Sequence, residues 1–483
     1  MESTSTPCDA VFRRARVIDG TGAPTRMCDV AVGGDRIISV GDLGDIAAKN
    51  VIEADGLVLA PGFIDVHAHD DAVLLTSPAM SPKLTQGVTT VVTGNCGLSI
   101  PPLVARQLPP APLEQLGDQS VFRFAKFADY FRALEDSPPA INVAPMVGHT
   151  TLRVAAMDAL DRPATRGEIG AMSRMLEEAL DAGVVGFSTG LFYPPARPAP
   201  AAEIVELLKI AAPRGAVYTT HMRDEGDDVD KSLVESFESA RAAGISLVIS
   251  HHKTQFKRNF GRSTATLGMI DEARLRQKVS LDVYPYIAGS TSLLPELVKK
   301  SDRVIITFSE PHPEFKGRDL TEIAEMWKCS PVEAVDRLTP AGAIYFNLAE
   351  EDVRRILCHS HCMVGSDGIP QQGSPHPRLW GTFPRVLGHY SRDLGLMSIE
   401  TAIHKMTGLS ADVFRIKDRG RVQTGYYADL VLFDSATIAD TATFENPSQP
   451  AAGIRFVMVN GTIVLDAGQQ GAARPGRVLR RTA

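Results

Sequence analysis

The fold is decided by the stretch Pro61-Gly62-Phe63-Ile64-Asp65-Val66-His67-Ala68-His69. Its short apolar run leads into two histidines, the pattern of a buried strand that carries polar groups at its carboxyl end. Residues two apart in an extended strand face the same side, so both imidazoles are expected to point the same way, with Phe63 and Asp65 turned inward as well. The pair predicts a metal or catalytic site at this strand end.

Seven more apolar runs of strand length follow, separated by amphipathic stretches of helical period. The predicted strands cover residues 62–67, 89–93, 141–144, 184–188, 216–220, 246–249, 280–283 and 363–365. Helical patterns such as 166–182 and 230–243 lie between most of them. Strands and helices that alternate in this way predict a parallel (β/α)8 barrel of the TIM type.

The two ends of the chain have a different pattern, with short alternating strands and tight turns such as Asn460-Gly461. We therefore expect residues 1–60 and 421–483 to build one small β domain from both termini, and residues 61–420 to form the barrel. Extra material at 286–346, between strands seven and eight, predicts a functional insertion that acts as a lid.

The composition is that of an ordinary soluble globular protein. Of 483 residues, 44% are hydrophobic and 22% are charged, and the net charge of −7 argues against the basic face that nucleic-acid binding needs. No apolar run approaches the ~20 residues that span a bilayer, and no secretory signal is recognised. The six cysteines are too few for a disulfide framework in so long a chain. We expect a cytoplasmic monomer that acts on a small-molecule substrate, without nucleic-acid or membrane partners.

Metal-binding side chains stand at the carboxyl ends of several predicted strands, and in a barrel those ends meet at one mouth. They are His67 and His69 after strand one, Cys96 after strand two, His221 after strand five, His251 after strand six and Asp367 after strand eight. Zinc takes Cys sulfur, His nitrogen and carboxylate oxygen, and a catalytic site keeps one position open for water. The joint pattern predicts a zinc site at the mouth.

Each of these residues also has an ordinary structural explanation. A histidine at a strand end is commonly a hydrogen-bonded core residue, Cys96 could be a small buried hydrophobe, and Asp367 could cap a turn. Their convergence is what favours the zinc site. The Cys- and His-rich run at 358–362 precedes strand eight and so belongs to the opposite face, where residues serve stability. For His149, a supporting role at the site and a structural role both stay open.

The motifs of covalent catalysis and of phosphate binding are not found where that chemistry would need them. No Gly-x-Ser-x-Gly follows a strand, since the one at 186–190 begins inside predicted strand four, and no glycine-rich loop precedes Lys-Ser or Lys-Thr. Metal-activated water is therefore the expected attacking group, with Asp367 as the carboxylate that takes its proton and returns it to the leaving nitrogen. This chemistry indicates hydrolysis of an amide or a related bond.

The strand-one stretch resembles the signature of the amidohydrolase superfamily, and the β-rich ends resemble its small β-sandwich. More narrowly, the chain is similar to the D-aminoacylases, which are N-acyl-D-amino-acid deacylases. The segments that carry this resemblance are Gly94-Asn95-Cys96-Gly97, Gly186-Phe187-Ser188-Thr189-Gly190-Leu191, Ser250-His251-His252-Lys253, Asp282-Val283-Tyr284-Pro285-Tyr286, Gly289-Ser290-Thr291, Gly365-Ser366-Asp367-Gly368 and His376-Pro377-Arg378-Leu379-Trp380-Gly381. The resemblance covers essentially the whole chain.

The resemblance implies a role for each residue of the site. Cys96, His221 and His251 would hold a tightly bound zinc, and His67 and His69 would hold a weaker second one bridged by Cys96. Asp367 would be the general base and then the general acid. The α-carboxylate of the substrate would be held by Lys253, Tyr284 and Arg378, and Tyr193 would line the site. The planar guanidinium of an arginine suits a carboxylate because it donates two hydrogen bonds. The insertion would form a mobile cover over the pocket.

The expected reaction is hydrolysis of N-acyl-D-amino acids, and only the resemblance supplies the D configuration. Apolar side chains are expected because an acidic one would need a second cation, for which only the loop residues Lys257 and Arg258 are conceivable. The alternatives are an N-acyl-D-glutamate or N-acyl-D-aspartate deacylase, a dipeptidase or cyclic-amide hydrolase on the same scaffold, and a non-catalytic scaffold. Strand four has no lysine that could bridge two metals, which weighs against hydantoinase-like enzymes.

Overall fold

The structure is a computed structural model that describes residues 8–370 and 373–481. Five strands precede the barrel: β1 (Ala10–Val17), β2 (Arg26–Gly33), β3 (Arg36–Gly41), β4 (Asn50–Glu53) and β5 (Val58–Pro61). Strand β1 organises this group, because it pairs antiparallel with β2 and parallel with both β4 and β5.

The next seven strands lie side by side in chain order and form a second, parallel sheet. They are β6 (Phe63–Asp65), β7 (Val88–Thr93), β8 (Asn142–Gly148), β9 (Gly186–Gly190), β10 (Val217–His221), β11 (Ser246–Ile249) and β12 (Val279–Val283). Strand β7, with the sequence Val-Thr-Thr-Val-Val-Thr, is buried along its whole length. Parallel strands that are covered on both faces require such uncharged, β-branched sequences, which is why the sequence pattern identified them.

The predicted insertion after β12 contains a small antiparallel sheet. Its strands are β13 (Ala288–Ser292), β14 (Arg303–Ser309) and β15 (Ala341–Phe346), with β15 in the middle. Ile306, Ile323, Leu338 and Tyr345 are buried together in a core of the insertion's own. The insertion is therefore a packed unit rather than an irregular loop, and its mobility stays a prediction.

Strand β16 (Cys362–Val364) pairs in parallel with β12 and completes the barrel. The first and last strands meet at the mouth, where the Asp367 amide donates to the His67 carbonyl oxygen over 2.8 Å and the His69 amide donates to that of Gly368 over 3.2 Å. The eight-stranded parallel barrel is thus confirmed, and its closure brings both histidines beside Asp367.

Four strands near the carboxyl end, β17 (Leu430–Phe433), β18 (Ile454–Val459), β19 (Thr462–Asp466) and β20 (Gln469–Gln470), return to the amino-terminal sheet. Strand β17 pairs antiparallel with β5, so both ends of the chain contribute to one nine-stranded sheet. The expected β unit built from both termini is confirmed, while the residue limits of the domains stay a prediction.

Helices lie between the barrel strands and within the insertion. They are α1 (Val73–Thr76), α2 (Ser81–Leu84), α3 (Phe127–Asp136), α4 (His149–Ala156), α5 (Arg166–Ala182), α6 (Ala201–Ala211), α7 (Val229–Ala243), α8 (Ser263–Arg274), α9 (Pro295–Val298), α10 (Leu320–Trp327), α11 (Pro331–Leu338), α12 (Glu350–Cys358), α13 (Arg378–Arg385), α14 (Ile399–Met406) and α15 (Gly408–Phe414), with 3-10 turns at Leu113–Leu116, Ala212–Arg214, Lys257–Asn259 and Pro313–Phe315 and a π-helix at Val386–Asp393. In the part of the chain that the structure describes, no helix has both the length and the apolarity to cross a bilayer.

The inward orientation predicted for Phe63 and Asp65 is wrong. The register between β6 and β7 shifts between Phe63 and Ile64, and Ile64 joins the buried cluster formed by alternate residues of the other barrel strands. Phe63 instead stacks on Phe383, with the ring centroids 5.8 Å apart. The Asp65 carboxylate faces α2, where it accepts a hydrogen bond from Lys83.

The ammonium group of Lys83 is fully buried between two carboxylates. Its Nζ lies 2.7 Å from Asp65 Oδ2 and 3.3 Å from Asp70 Oδ2, and it donates to Ser366 Oγ over 2.8 Å. Burial by itself would lower the pKa of Lys83, but Asp65 and Asp70 raise it above its usual value. The network connects α2 to the segments that carry His67 and Asp367.

Replacing Lys83 with Met is expected to lower the free energy of unfolding by about 3–5 kcal/mol, because two buried carboxylates lose their counter-ion. Urea or thermal unfolding of the variant against the wild type measures the effect. Lys299→Met is the matched control, since Lys299 is exposed and its replacement should change stability by less than about 0.5 kcal/mol. Equal stability of the two variants would contradict the prediction.

Candidate active site

Three of the predicted site residues have a left-handed backbone: φ is 53° at Cys96, 36° at His251 and 49° at Asp367. Such angles are uncommon outside glycine, and non-glycine examples cluster at functional sites, where surrounding contacts hold the strain. Each of the three lies just beyond the end of a barrel strand. The reversed backbone at these turns helps direct the side chains toward the mouth.

Two glycines let the segment around Cys96 approach its neighbours closely. Gly94 and Gly97 have φ of 78° and 77°. A Cβ atom at Gly94 would collide with the carbonyl oxygen of Met146, and one at Gly97 would lie 2.9 Å from the Gly190 amide nitrogen. Glycine is therefore required here for space as well as for backbone conformation.

The predicted residues form two groups in which the potential metal-binding atoms all lie within 4.8 Å of one another. One group is His67, His69, Cys96 and Asp367, and the other is Cys96, His221 and His251. Cys96 belongs to both, with Sγ 3.2 Å from His67 Nε2 and 3.3 Å from His251 Nε2. The structure therefore brings all six residues to one place, with Cys96 between the two halves.

Neighbouring charges favour the anionic forms of Cys96 and Asp367. Burial by itself would raise the pKa of the Cys96 thiol, but His67 and His251 lower it well below its usual value. Burial would likewise raise the pKa of Asp367, yet the Arg378 guanidinium and His67 hold it well below its usual range. An ionised thiol and carboxylate among imidazoles make the chemical environment that a divalent cation prefers.

Asp282 of β12 is a residue of the site that the sequence argument did not assign. Its Oδ1 lies 3.2 Å from His67 Nδ1 and accepts a hydrogen bond from the His251 amide over 2.9 Å. A carboxylate on the far nitrogen of an imidazole fixes the ring and leaves its other nitrogen free for a metal. The only sequence signal was its position in Asp282-Val283-Tyr284, a segment already used for the resemblance.

Glu225 is a second residue that the sequence argument missed. It is buried, and its Oε1 lies 3.0 Å from His251 Nδ1 and 2.7 Å from Lys253 Nζ. Burial would raise the pKa of Glu225, but Lys253 and the nearby histidines hold it below its usual range. In the sequence it stands in an acidic run after β10, and nothing in that run distinguishes it from its acidic neighbours.

The residues present fit a zinc ion. The donor set is one thiol, four imidazoles and one carboxylate, all of types that zinc accepts. The Nδ1 atoms of His69 and His221 are buried and have no hydrogen-bond partner among the described residues. The other two rings each have a carboxylate oxygen within 3.2 Å of Nδ1, an arrangement that is typical of metal-binding histidines.

A pocket opens beside these groups. It is lined on one side by site residues that include His69, His221, His251 and Asp367. The insertion lines the other side with Gly289, Ser290, Thr291, Leu297 and Tyr345. The pocket therefore lies between the mouth of the barrel and the insertion.

Lys253, Tyr284 and Tyr193 line this cavity. The Tyr193 hydroxyl lies 3.2 Å from Thr291 Oγ1 on the insertion. Lys253 Nζ lies 5.7 Å from the centroid of the Tyr284 ring. The structure thus places all three residues where a substrate could touch them, although the Lys253 ammonium already pairs with Glu225.

Arg378 lies behind Asp367 and does not itself line the cavity. Its Nη1 is 3.0 Å from Asp367 Oδ2, and its Nη2 donates to the Ser290 carbonyl oxygen over 3.2 Å. The guanidinium carbon lies 4.5 Å from the centroid of the Tyr284 ring. Arg378 therefore contacts the catalytic candidate and the insertion at the same time.

Several other polar residues belong to neither metal-binding group. His149 is buried and its Nε2 lies 2.9 Å from Glu203 Oε1, which gives it a structural partner away from Cys96. His359, in the Cys- and His-rich run, pairs with Asp271. Of the loop cations considered for an acidic substrate, Lys257 pairs with Asp302 and Arg258 with Asp227.

The model of the amidohydrolase family matches residues 50–273 and 316–465, so the chain belongs to the amidohydrolase family. It is 52% identical over 482 residues to a D-aminoacylase of Alcaligenes xylosoxydans xylosoxydans, covering 100% of this chain and 99% of the relative. Within the family it therefore groups with the D-aminoacylases.

Two further proteins are similar to this chain over nearly its whole length. An N-acyl-D-aspartate deacylase of the same organism is 49% identical over 480 residues, covering 99% of this chain and 96% of the relative. The crystal structure of an N-acyl-D-glutamate deacylase from Bordetella bronchiseptica, complexed with zinc and a phosphonate that mimics the tetrahedral intermediate, is 46% identical. It superimposes with a TM-score of 0.95, covering 98% of this chain and 100% of that chain.

Proposed function

We propose that this chain hydrolyses N-acyl-D-amino acids to a D-amino acid and a carboxylic acid, uses zinc, and favours apolar side chains. The observation that carries the proposal is the position of Cys96, which joins two groups of metal-binding atoms next to Asp367 at the edge of a pocket. The full-length similarity to a D-aminoacylase supports the substrate class.

Cys96, His221 and His251 would hold the tightly bound zinc, and His67 and His69 would form a weaker second position that shares Cys96. Zinc bound there would polarise the acyl carbonyl and lower the pKa of a water molecule toward ~7. The short distances from Cys96 Sγ to His67 Nε2 and His251 Nε2, 3.2 and 3.3 Å, support a shared thiolate.

Asp367 would accept a proton from the attacking water and return it to the leaving nitrogen. Its Oδ1 lies 3.2 Å from His69 Nε2 and 3.4 Å from His67 Nε2, and the residue lines the cavity. Arg378 holds the other carboxylate oxygen, so the position of the proton-accepting atom is defined before a substrate binds.

Lys253, Tyr284 and Arg378 would hold the α-carboxylate of the substrate, and Tyr193 would line the site. The buried Nε of Arg378 has no hydrogen-bond partner among the described residues, so this donor is free for an additional acceptor. A guanidinium suits a carboxylate because its donors lie in one plane. Lys253 adds positive charge at the cavity wall.

The remaining wall of the cavity supports a preference for apolar side chains. Leu98, Leu116, Phe192, Leu297 and Ile369 all line it. Among the described lining residues, Lys253 is the one lysine or arginine, and Glu225 already neutralises it. An acidic side chain would therefore have no spare cation to pair with, and burial of an unpaired charge is costly.

We also propose that the protein works in the cytoplasm. All six cysteines are free thiols, as is typical of a reducing compartment. The monomeric state stays a prediction, which sedimentation velocity would measure.

The test is release of free amine from N-acetyl-D-methionine and N-acetyl-L-methionine by the zinc-loaded chain. The D substrate is expected to react at least about 100-fold faster in kcat/KM, because only one configuration places the acyl carbonyl and the α-carboxylate at their two sites together. N-acetyl-D-glutamate serves as the matched acidic substrate and should react more slowly than the methionine derivative.

The other outcomes separate the alternatives. Faster turnover of N-acetyl-D-glutamate would overturn the apolar preference and indicate an acidic-substrate deacylase. Turnover of hydantoin or dihydropyrimidine alone would overturn the linear-amide reaction. A zinc-loaded chain that turns over none of these substrates would support a scaffold without catalytic activity.

A further inference from the structure

Glu225 is a buried carboxylate at the boundary between the proposed metal site and the proposed substrate site. It lies four residues beyond His221, the last residue of β10, and is 4% exposed. It also lines the cavity. Glu225 takes no part in the proposed proton transfer, which Asp367 carries out.

On the metal side, Glu225 contacts both histidines of one metal-binding group. Its Oε1 lies 3.0 Å from His251 Nδ1, and its Oε2 lies 3.6 Å from His221 Nε2. The other nitrogen of His251, Nε2, faces Cys96 Sγ at 3.3 Å. Lys253 Nζ lies 2.7 Å from the same Nδ1, so the Glu225 oxygen and the Lys253 ammonium meet at this ring nitrogen. When a metal binds Nε2 of a neutral imidazole, Nδ1 carries the proton, and a carboxylate that accepts it holds the ring in that tautomer.

On the substrate side, the same carboxylate holds Lys253. The distance from Lys253 Nζ to Glu225 Oε1 is 2.7 Å, and Gln255 Nε2 donates to Glu225 Oε2 over 3.2 Å. The backbone supports this arrangement, because the Gln255 amide donates to the Glu225 carbonyl oxygen over 2.8 Å. One carboxylate oxygen therefore contacts both His251 and Lys253, and it fixes their relative positions.

We propose that Glu225 is a positioning residue that orients His251 toward the metal and Lys253 toward the α-carboxylate of the substrate. The part that concerns Lys253 rests on the proposed function, whereas the part that concerns His251 rests only on metal binding. The competing explanation is that Glu225 does no more than neutralise a buried lysine.

The decisive measurement is zinc affinity in the absence of substrate, by competition with a chromophoric chelator. Glu225→Gln is expected to bind zinc about 10–100-fold more weakly than the wild type, the range seen when a partner of a metal-binding histidine is lost. Glu235→Gln is the matched control, because the Glu235 carboxylate pairs with Arg223 and should leave zinc affinity unchanged. Circular dichroism and unfolding temperature verify that each variant folds.

A double variant distinguishes the two explanations and guards against loss of fold. Glu225→Gln with Lys253→Met removes both charges of the pair, so no unpaired charge stays buried. Weak zinc binding in the double variant supports the positioning role. Wild-type zinc affinity in either the single or the double variant would overturn it.

Steady-state kinetics tests the substrate side. Glu225→Gln at saturating zinc should raise KM for N-acetyl-D-methionine by about 10-fold with a smaller change in kcat, the signature of lost uniform binding. An unchanged KM would overturn the Lys253 half of the proposal. If the wild type does not hydrolyse this substrate at all, the proposed function fails, while the zinc measurement still decides the role of Glu225.

Discussion

Replacing Asp367 with Asn is expected to lower kcat for N-acetyl-D-methionine by about 100- to 10,000-fold, the usual contribution of a positioned proton-transfer group. The amide keeps the size of the carboxylate but accepts no proton. It also gives up the ion pair with Arg378, whose Nη1 lies 3.0 Å from Asp367 Oδ2. Steady-state assays at saturating zinc, with the metal content measured in parallel, check the prediction.

The matched control for Asp367→Asn is Asp271→Asn. The Asp271 carboxylate pairs with His359, on the face of the barrel away from the site, and its loss should leave kcat within about 2-fold of the wild type. If Asp367→Asn retained most of its activity while its zinc content was normal, another group would have to move the proton.

Replacing Cys96 with Ser is expected to weaken zinc binding by more than about 100-fold, beyond the range for groups that only support a ligand. A serine hydroxyl stays protonated at neutral pH, so both metal-binding groups would lose their shared anion. Activity at limiting zinc should fall with the metal content. Equilibrium dialysis and turnover on the same samples measure both quantities.

Cys358→Ser is the control for Cys96→Ser, because Cys358 is exposed and precedes the last barrel strand. It should bind zinc as the wild type does. If Cys96→Ser bound zinc with wild-type affinity, the thiol would not be a ligand and the metal would have to be held by the histidines and Asp367 alone. Partial recovery of activity at millimolar zinc would agree with weakened binding.

The barrel could be predicted because its strands follow a local rule. A parallel strand that is covered on both faces must be apolar or β-branched throughout, so runs such as β7 are visible without any knowledge of their neighbours. Helix α5 could be predicted in the same way, since Thr165 and Glu168 form a capping box at its start and Gly183 ends it in a left-handed conformation. These signals involve residues only a few positions apart.

The error at β6 has a tertiary origin. The alternation rule relates Phe63 and Asp65 to the two histidines only if the strand continues to His69, whereas β6 ends at Asp65 and the chain bends at Val66 and His67. Within β6 the alternation holds, because Ile64 belongs to the inner cluster while Phe63 packs against Phe383 and Asp65 meets Lys83. Nothing in the stretch itself indicates where the strand ends, because its length depends on pairing with a separate strand.

The sequence by itself determined the alternating fold and the metal-competent residue types at the strand ends, since periodicity and side-chain chemistry are local properties. Only the tertiary structure decided which charges pair. Lys253 and Glu225 are 28 positions apart, and His251 and Asp282 are 31 apart. Acidic residues are common in loops, so chemistry alone could not distinguish Glu225 from its neighbours. The parallel pairing of β10 with β11 selects it, because it brings the loops after the two strands together and places one carboxylate within hydrogen-bonding distance of both His251 and Lys253.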